Sequence, residues 1–198
     1  MNNKTNQSYH HGNLKNELLQ VARDVLEKKG LDKVTIREIA REVGVSHTAP
    51  QRHFKNRQAL LDSLALMGFN ELGEGIRESQ LADTTDFAER LNNAALSFAH
   101  FATRNGQLFE LMISSKHTDK TGDIPSASEK AFFPILDLII DGQKNNMIQD
   151  GDSARIGLNL YATLLGITTM VNGGLIDSNK LDELVVESTQ HFLRGFQP

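Results

Sequence analysis

The stretch of sequence that decides the fold is residues 31–61, LDKVTIREIAREVGVSHTAPQRHFKNRQALL. Thr35 opens the capping box T-I-R-E, and the apolar residues behind it follow the spacing of a short helix. Gly44 ends that helix, and Ser46 stands where it can cap a following helix that runs to about Phe54. Two short helices separated by a tight, glycine-containing turn predict a helix-turn-helix.

Helical spacing of apolar residues continues on both sides of this stretch. Upstream, the pattern predicts a first helix from Asn13 to Gly30. Downstream, a long helix begins at Asn56, and its far end, residues 68–75, is expected to be looser or bent because it holds three glycines. The sequence shows no strand pattern, so we predict an all-α protein of about nine helices.

The overall composition excludes several classes of protein. Hydrophobic residues make up 39% and charged residues 23% of the chain, which is enough to build a core. The absence of cysteine excludes disulfides, thiolate nucleophiles and cysteine zinc sites, and it fits a reducing cytoplasm. The first 30 residues lack the pattern of a secretory leader, and no stretch approaches the roughly 18 apolar residues of a membrane span. We therefore expect a cytoplasmic protein with no membrane segment and no cofactor.

Charge is distributed unevenly along the chain. Residues 1–60 contain 11 Lys and Arg against 6 Asp and Glu, a net charge of +5, whereas the remainder carries −9. A basic N-terminal part joined to an acidic body predicts two tasks, one of them with a polyanion.

The pattern T-x-R-E-I-A-x-x-x-G-V-S, from Thr35 to Ser46, resembles the helix-turn-helix of the tetracycline-repressor (TetR) family of transcriptional regulators. The blocks YHHGNL at 9–14 and SHTAPQRHF at 46–54 are similar to one subgroup of that family, and the resemblance covers about residues 9–68. It implies a DNA-binding helix-turn-helix domain over residues 1–56, ordered from about residue 9. The remainder, residues 57–198, would then form a helical domain for effector binding and dimerisation.

The predicted DNA contacts lie in and beside the second helix of the motif. A threonine hydroxyl at a helix start can hold a phosphate, a glutamine can bond an adenine bidentately, and the cationic residues lie near flanking phosphates. The predicted set is Thr35, Arg37, Ser46, His47, Thr48, Gln51, Arg52, His53 and Lys55. Tyr9, His10 and His11 could add an arm along the DNA backbone or minor groove, or could belong to a disordered terminus. A metal site at the paired histidines is not expected, because no third ligand lies at helical spacing from them.

Two positions depart from the usual pattern of the family. Gln51 stands where the family usually has Tyr, and Arg57 where it usually has Lys. Pro50 also lacks a backbone donor, although in a first helical turn that donor has little to bond. We interpret these departures as altered operator specificity, not as lost DNA binding.

The resemblance also implies a homodimer and an effector cavity in the body of the protein. Residues 153–171 and 181–196 are predicted to pair with a second copy, which would place two recognition elements roughly 34–36 Å apart on a palindromic operator. The predicted effector contacts are Phe98, Phe101, Phe109, Met112, Phe132, Phe133 and Tyr161, with His100 or Asn159 as polar additions. Ordinary core packing would give the same spacing. Effector binding is expected to tilt the 57–75 helix and so to release the operator.

Three other functions compete with that of a ligand-responsive repressor. An enzyme would need His117, Asp119 and Asp123 to converge on a pocket, but these residues lie in a polar stretch typical of a surface loop. A helical partner-binding or architectural protein without specific DNA binding is the alternative that Gln51 and the acidic body favour. An activator would have the same sequence features as a repressor.

Overall fold

The computed structural model describes residues 14–81, 84–116 and 122–198, and within these ranges all of its regular secondary structure is helical, which confirms the all-α prediction. Its eight α-helices are α1 (Leu14–Lys29), α2 (Ile36–Val43), α3 (Arg57–Ser79), α4 (Phe87–Arg104), α5 (Gly106–Ser115), α6 (Asp123–Lys144), α7 (Ser153–Asn172) and α8 (Leu181–Gly195). Three short 3₁₀ helices are added at Leu31–Lys33, Pro50–Arg52 and Ser178–Lys180. The chain divides into two compact units, residues 1–64 and 65–198, and the division falls inside α3.

The first unit is built around the buried faces of α1, α2 and the start of α3. Buried apolar residues recur three and four positions apart along α1, as an amphipathic helix requires. The side chains that fill this core are Leu18, Ala22, Val25, Leu26, Val34, Ile39, Ala40, Phe54, Leu60, Leu61 and Leu64. The helix-turn-helix therefore has an apolar core of its own.

The predicted ends of α2 are confirmed. The Thr35 side chain accepts a hydrogen bond from the Glu38 backbone N–H at 3.2 Å, which satisfies one of the free donors at the helix start. Gly44 ends the helix in the left-handed region, at φ 78°, where glycine is the favoured residue. Val45 then donates its N–H to the Ala40 carbonyl at 3.0 Å, so that the chain turns sharply after α2.

The predicted α-helix from Ser46 to Phe54 is wrong. The structure has hydrogen-bonded turns over 47–49 and a single 3₁₀ turn at Pro50–Arg52. The Ala49 N–H bonds to the Ser46 carbonyl, and the His53 N–H bonds to the Pro50 carbonyl, both with three-residue separation. Because Pro50 has no N–H to continue an α-helical ladder, the segment winds more tightly. We call residues 46–53 the recognition turn.

The second unit is built around α4. This helix packs against both α7 and α8, and α6 packs against α7. Leu91, Ala94, Ala95, Phe98, Ala99 and Ala102 form its buried stripe. The Thr189 hydroxyl of α8 donates a hydrogen bond to the Asn92 side-chain oxygen of α4, so the partly buried polar groups between these helices are satisfied.

Residues 68–75 were expected to be looser or bent; the structure shows no break there, because α3 continues through them to Ser79. The glycines there mark close approaches instead. A Cβ atom built on Gly73 would lie only 2.9 Å from the Ala131 Cα atom of α6. Gly73 therefore sets how near α3 and α6 come to each other.

We expect Gly73→Ala to lower the free energy of unfolding by about 1–2 kcal/mol. The cost of overpacking, about 1–3 kcal/mol, exceeds the gain in helix propensity of about 0.5–1 kcal/mol. Gly195→Ala is the matched control, since a Cβ atom there meets nothing within 4 Å. Thermal unfolding followed by circular dichroism measures both variants, and equal stability of the two would contradict a close contact at Gly73.

Candidate nucleic-acid interface and ligand cavity

The recognition turn presents most of the predicted DNA contacts to solvent. Seven of the predicted residues are exposed, namely Arg37, Ser46, His47, Thr48, Gln51, Arg52 and Lys55, while Thr35 and His53 are half-buried. Pro50 and Phe54 are buried beneath the turn and fix its inner side. The turn thus carries amide, hydroxyl, imidazole and cationic groups on one short exposed segment, as a base-reading and phosphate-binding surface needs.

The start of α2 supplies a second part of this surface. The Thr35 oxygen is used as an acceptor for the helix cap, which leaves its hydroxyl hydrogen free to donate to a phosphate. The other member of the capping box, Glu38, accepts hydrogen bonds from Lys29 at 3.1 Å and from Arg41 at 2.6 Å. The exposed Lys29–Glu38 pair joins α1 to α2, whereas the Arg41–Glu38 pair lies within α2. A further hydrogen bond from Lys29 holds the pKa of the Glu42 carboxyl below its ordinary value.

Ser46 does not have the capping role that the sequence suggested. The residue that precedes the 3₁₀ turn is Ala49, and no side chain caps that turn. The Ser46 hydroxyl instead lies 3.2 Å from the Thr48 hydroxyl, and both residues are exposed. Ser46 is therefore available as a polar group of the surface, not as a helix cap.

Arg57 has a structural role that sequence reasoning missed. Its Nε donates to the Val34 carbonyl at 2.8 Å and its terminal nitrogen donates to the Leu31 carbonyl at 2.7 Å. Arg57 is the first residue of α3, so the guanidinium ties the start of α3 to the turn that precedes α2. The planar fork of arginine can serve two carbonyls at once, which the single ammonium of lysine does less well.

Some predicted residues fall outside the described ranges. These are Tyr9, His10 and His11 of the suggested arm, and His117 and Asp119 of the enzyme alternative. Asp123 is described and is the first residue of α6. Within the described parts of the chain no three His, Asp or Glu side chains are grouped as metal ligands.

The second unit contains a cavity of about 580 Å³, a size typical of small-molecule sites. We call it the ring-lined cavity, because aromatic side chains from α4, α6 and α7 form one wall. Its lining comprises Phe98, Lys116, Pro125, Ser128, Glu129, Phe132, Phe133, Ile135, Leu136, Ala154, Gly157, Leu158, Leu160, Tyr161 and Leu164. The ring of Phe132 lies 4.9 Å from that of Tyr161 and 5.9 Å from that of Phe98, measured between centroids.

Four of the seven predicted effector contacts line this cavity, namely Phe98, Phe132, Phe133 and Tyr161. The other three do not. Phe101 borders a separate surface pocket, Phe109 packs its ring on Phe98 with centroids 5.5 Å apart, and Met112 is buried against Gly68. These three residues face other parts of the same unit.

His100 and Asn159, which were predicted as polar contacts to the effector, also lie outside the cavity lining. His100 pairs with Asp182 at 2.6 Å and so joins α4 to α8. Asn159 is exposed and donates to the Arg155 carbonyl of its own helix. Neither side chain contributes a polar group to the ring-lined cavity.

Lys116 and Glu129 are the charged residues that line the cavity, and sequence reasoning missed both. Lys116 follows directly on α5 and is half-buried, with its Nζ atom 6.0 Å from the centroid of the Phe132 ring. Burial lowers the pKa of Lys116, and this effect outweighs the opposite influence of Glu129. The sequence offers no signal for this role, because Lys116 opens a polar stretch typical of surface loops.

Comparisons with known proteins bear on both units. A family model described as bacterial regulatory proteins of the tetR family matches residues 18–64. A segment of 50 residues is 42% identical to the tetracycline repressor protein class A from transposon 1721 of Escherichia coli; it is 25% of this chain and 23% of that repressor. This likeness to the tetracycline repressor is therefore confined to about a quarter of each protein.

Similarity to solved structures extends over nearly the whole chain. A protein of unknown function from Rhodococcus sp. RHA1 is 35% identical, with a TM-score of 0.89 over 97% of this chain and 100% of its own. The TetR-family regulator PfmR from Thermus thermophilus is 16% identical, with a TM-score of 0.71 over 91% of this chain and 99% of its own. At 16% identity, the similarity to PfmR shows a shared fold and nothing about function.

We expect Arg57→Ala to destabilise the protein by about 1–3 kcal/mol, because two charge-assisted hydrogen bonds to backbone carbonyls are lost. Arg57→Lys should lose less stability than Arg57→Ala, because its ammonium can still donate a hydrogen bond. Arg52→Ala is the control, since Arg52 is exposed on the recognition turn and its removal should leave stability within about 0.5 kcal/mol of the original. Denaturant unfolding compares the three variants, and an Arg57→Ala protein as stable as Arg52→Ala would refute the anchoring role.

Proposed function

We propose that this chain, whose residues 18–64 match the family model of tetR-type bacterial regulatory proteins, is a ligand-responsive TetR-family repressor that binds a palindromic operator as a homodimer. The observation that carries the proposal is the recognition turn, whose exposed polar and cationic side chains lie inside the segment that the family model matches. We further propose that the protein works in the cytoplasm and catalyses no reaction.

The chemistry of the recognition turn supports sequence-specific binding. Gln51 is exposed and can offer its amide to an adenine edge, and the Thr48 methyl can contact a thymine methyl. Arg52 and Lys55 lie on either side of His53 and can bind the phosphates that flank those bases. Thr35, at the N-terminus of α2, offers a hydroxyl and free backbone N–H groups for another phosphate.

The surface of α7 supports the proposed dimer. Although the sequence predicted no stretch of this kind, α7 is long and apolar enough to span a membrane by length and composition, which is weak evidence for a single helix; only 28% of its most apolar window is buried. Its outward residues include Leu158, Ala162, Leu165, Gly166, Thr169 and Met170, and the exposed fraction of Leu158 is 60%. A second copy of the chain would cover this face, since helices that pair in a bundle need such an apolar stripe.

The ring-lined cavity supports a response to a small molecule. It lies within the second unit, whereas the recognition turn belongs to the first, and α3 contributes residues to both. A ligand that binds one conformation of the second unit better than another by about 1–3 kcal/mol would shift operator affinity about 5- to 150-fold.

The partner-binding alternative keeps one argument in its favour, which is the glutamine at position 51 in place of the family's usual aromatic residue. That change removes a phosphate contact and adds an amide, so it is compatible with a different operator as well as with weak DNA binding. An activator differs from a repressor in where the operator lies, a property of the DNA.

We expect Ala162→Glu to convert the proposed dimer to a monomer, because each copy would place an unpaired carboxylate in an apolar interface. Sedimentation velocity should show the original protein at twice its chain mass of 22.0 kDa and the variant near that mass. Lys144→Glu, an exposed change on α6, is the control and should remain dimeric. A dimeric Ala162→Glu protein, or a monomeric original, would argue against this interface.

We expect the protein to prefer duplex DNA from the region upstream of its own gene over an unrelated duplex by about 10³-fold or more. Arg52→Ala should weaken binding to both duplexes alike and reduce the salt dependence by about one phosphate contact. Gln51→Ala should weaken binding to the preferred duplex by about tenfold and leave the unrelated duplex unaffected, because only a base contact is lost. Fluorescence anisotropy titrations at two salt concentrations measure all of these affinities.

Lys144→Ala is the charge-matched control for Arg52→Ala, since it removes one exposed cation from the second unit. Its affinity for both duplexes should equal that of the original protein. Equal binding to the two duplexes, or none at low salt, would favour the partner-binding alternative over a regulator.

A further inference from the structure

The lining of the ring-lined cavity is mostly apolar, with few polar groups to orient a ligand. Eleven of its fifteen residues are apolar or glycine, and the polar side chains are those of Lys116, Ser128, Glu129 and Tyr161. A ligand for this cavity therefore needs a large apolar body and a small polar head.

Among the described residues of the lining, Lys116 is the one cation. Within the described residues it forms no ion pair, and its contact is the face of the Phe132 ring at 6.0 Å. Partial burial strips water from this ammonium, which is why its pKa falls below the ordinary lysine value. An ammonium that has lost water without gaining a carboxylate is stabilised when an anion arrives.

Glu129 does not supply that carboxylate. It is exposed, and its attraction for Lys116 is too weak to reverse the effect of burial on the lysine pKa. Its negative charge at the cavity does, however, disfavour anionic ligands, and most strongly those that carry more than one negative charge. Because the described lining has one cation to pair with, it favours a head group with no more than one negative charge.

Tyr161 provides a neutral hydrogen-bonding group on the ring wall. Burial raises the pKa of its phenol, so the hydroxyl keeps its proton and can donate to a ligand oxygen. Its ring packs edge-on against Phe132 and Phe98, with centroids 4.9 Å and 5.9 Å away. This cluster offers ring faces and edges to an aromatic or aliphatic body.

We propose that the ring-lined cavity binds a monocarboxylic acid whose carboxylate pairs with the Lys116 ammonium and whose apolar body lies against Phe98, Phe132 and Tyr161. The inference rests on the proposed function only in treating this acid as the effector. Binding itself needs no DNA.

The test compares ligands that share one body and differ in the head group. Isothermal titration calorimetry with the full chain would use 4-phenylbutyrate, 4-phenylbutanol and 4-phenylbutylamine, together with the pair octanoate and octanol. At least one acid should bind about 10- to 100-fold more tightly than its alcohol, the factor expected of a partly buried charge-assisted contact, and the amine should bind most weakly. Binding of neither acid, or an alcohol or amine that binds as tightly as its acid, would overturn the proposal.

Variants test the assignment to Lys116. Lys116→Gln should lower the affinity for the acid about tenfold or more and leave the affinity for the alcohol unchanged. Lys130→Gln is the matched control, because Lys130 is exposed on α6 and does not line the cavity. A loss of acid and alcohol binding in equal measure would show a packing role for Lys116 and would contradict the proposed pairing.

Glu129→Gln should change the affinity for the acid in the opposite direction to Lys116→Gln. Removing its negative charge should strengthen acid binding about two- to fivefold, since a like charge near the carboxylate is lost. Weaker acid binding in this variant would contradict the assignment of the two charges.

A parallel operator titration separates this inference from the proposed function. If the acid binds but operator affinity does not change, the monocarboxylic-acid proposal is supported and the proposed ligand response is contradicted. If operator binding is sequence-specific but neither acid binds, the regulator stands and the ligand class is wrong.

Discussion

The Arg57 guanidinium makes the contact on which the arrangement of the helix-turn-helix depends. Its two hydrogen bonds, to the Val34 and Leu31 carbonyls, hold the start of α3 against the turn before α2. The recognition turn lies between α2 and α3 in the chain, so both of its ends are fixed by elements that this contact joins. An exposed segment with only one 3₁₀ turn of its own needs such support, because it buries little apolar surface.

Local chemistry made the first unit largely predictable from the sequence. The cap at Thr35 and the left-handed turn at Gly44 follow from residue types a few positions apart, and the structure has both. The α-helix predicted for the recognition segment is wrong, because Pro50 is not a tolerated first-turn residue of an α-helix there. The structure shows a 3₁₀ turn there and an uncapped start at Ala49. A proline's effect depends on where the helix begins, which the sequence indicates least well.

The ring-lined cavity was less predictable, for a physical reason. Helical spacing identifies the residues that point inward, but it does not show whether each of them packs against a neighbour or lines a cavity. Phe98 and Phe109 are both buried and touch each other, yet only Phe98 lines the cavity. Lys116 could not be identified because its role comes from burial in the folded second unit, whereas its own neighbours in sequence are polar.

A route from the cavity to the recognition turn can be traced through contacts within each unit and along one continuous helix. Phe132 and Phe133 line the cavity and follow Ala131, whose backbone lies against Gly73 of α3. A ligand that moves α6 toward α3 would therefore press on α3, because this backbone contact leaves no free space between the two helices. The helix runs without interruption to Arg57, whose hydrogen bonds hold the turn before α2. The proposed ligand response would therefore need a ligand that binds one position of α6 more tightly than another.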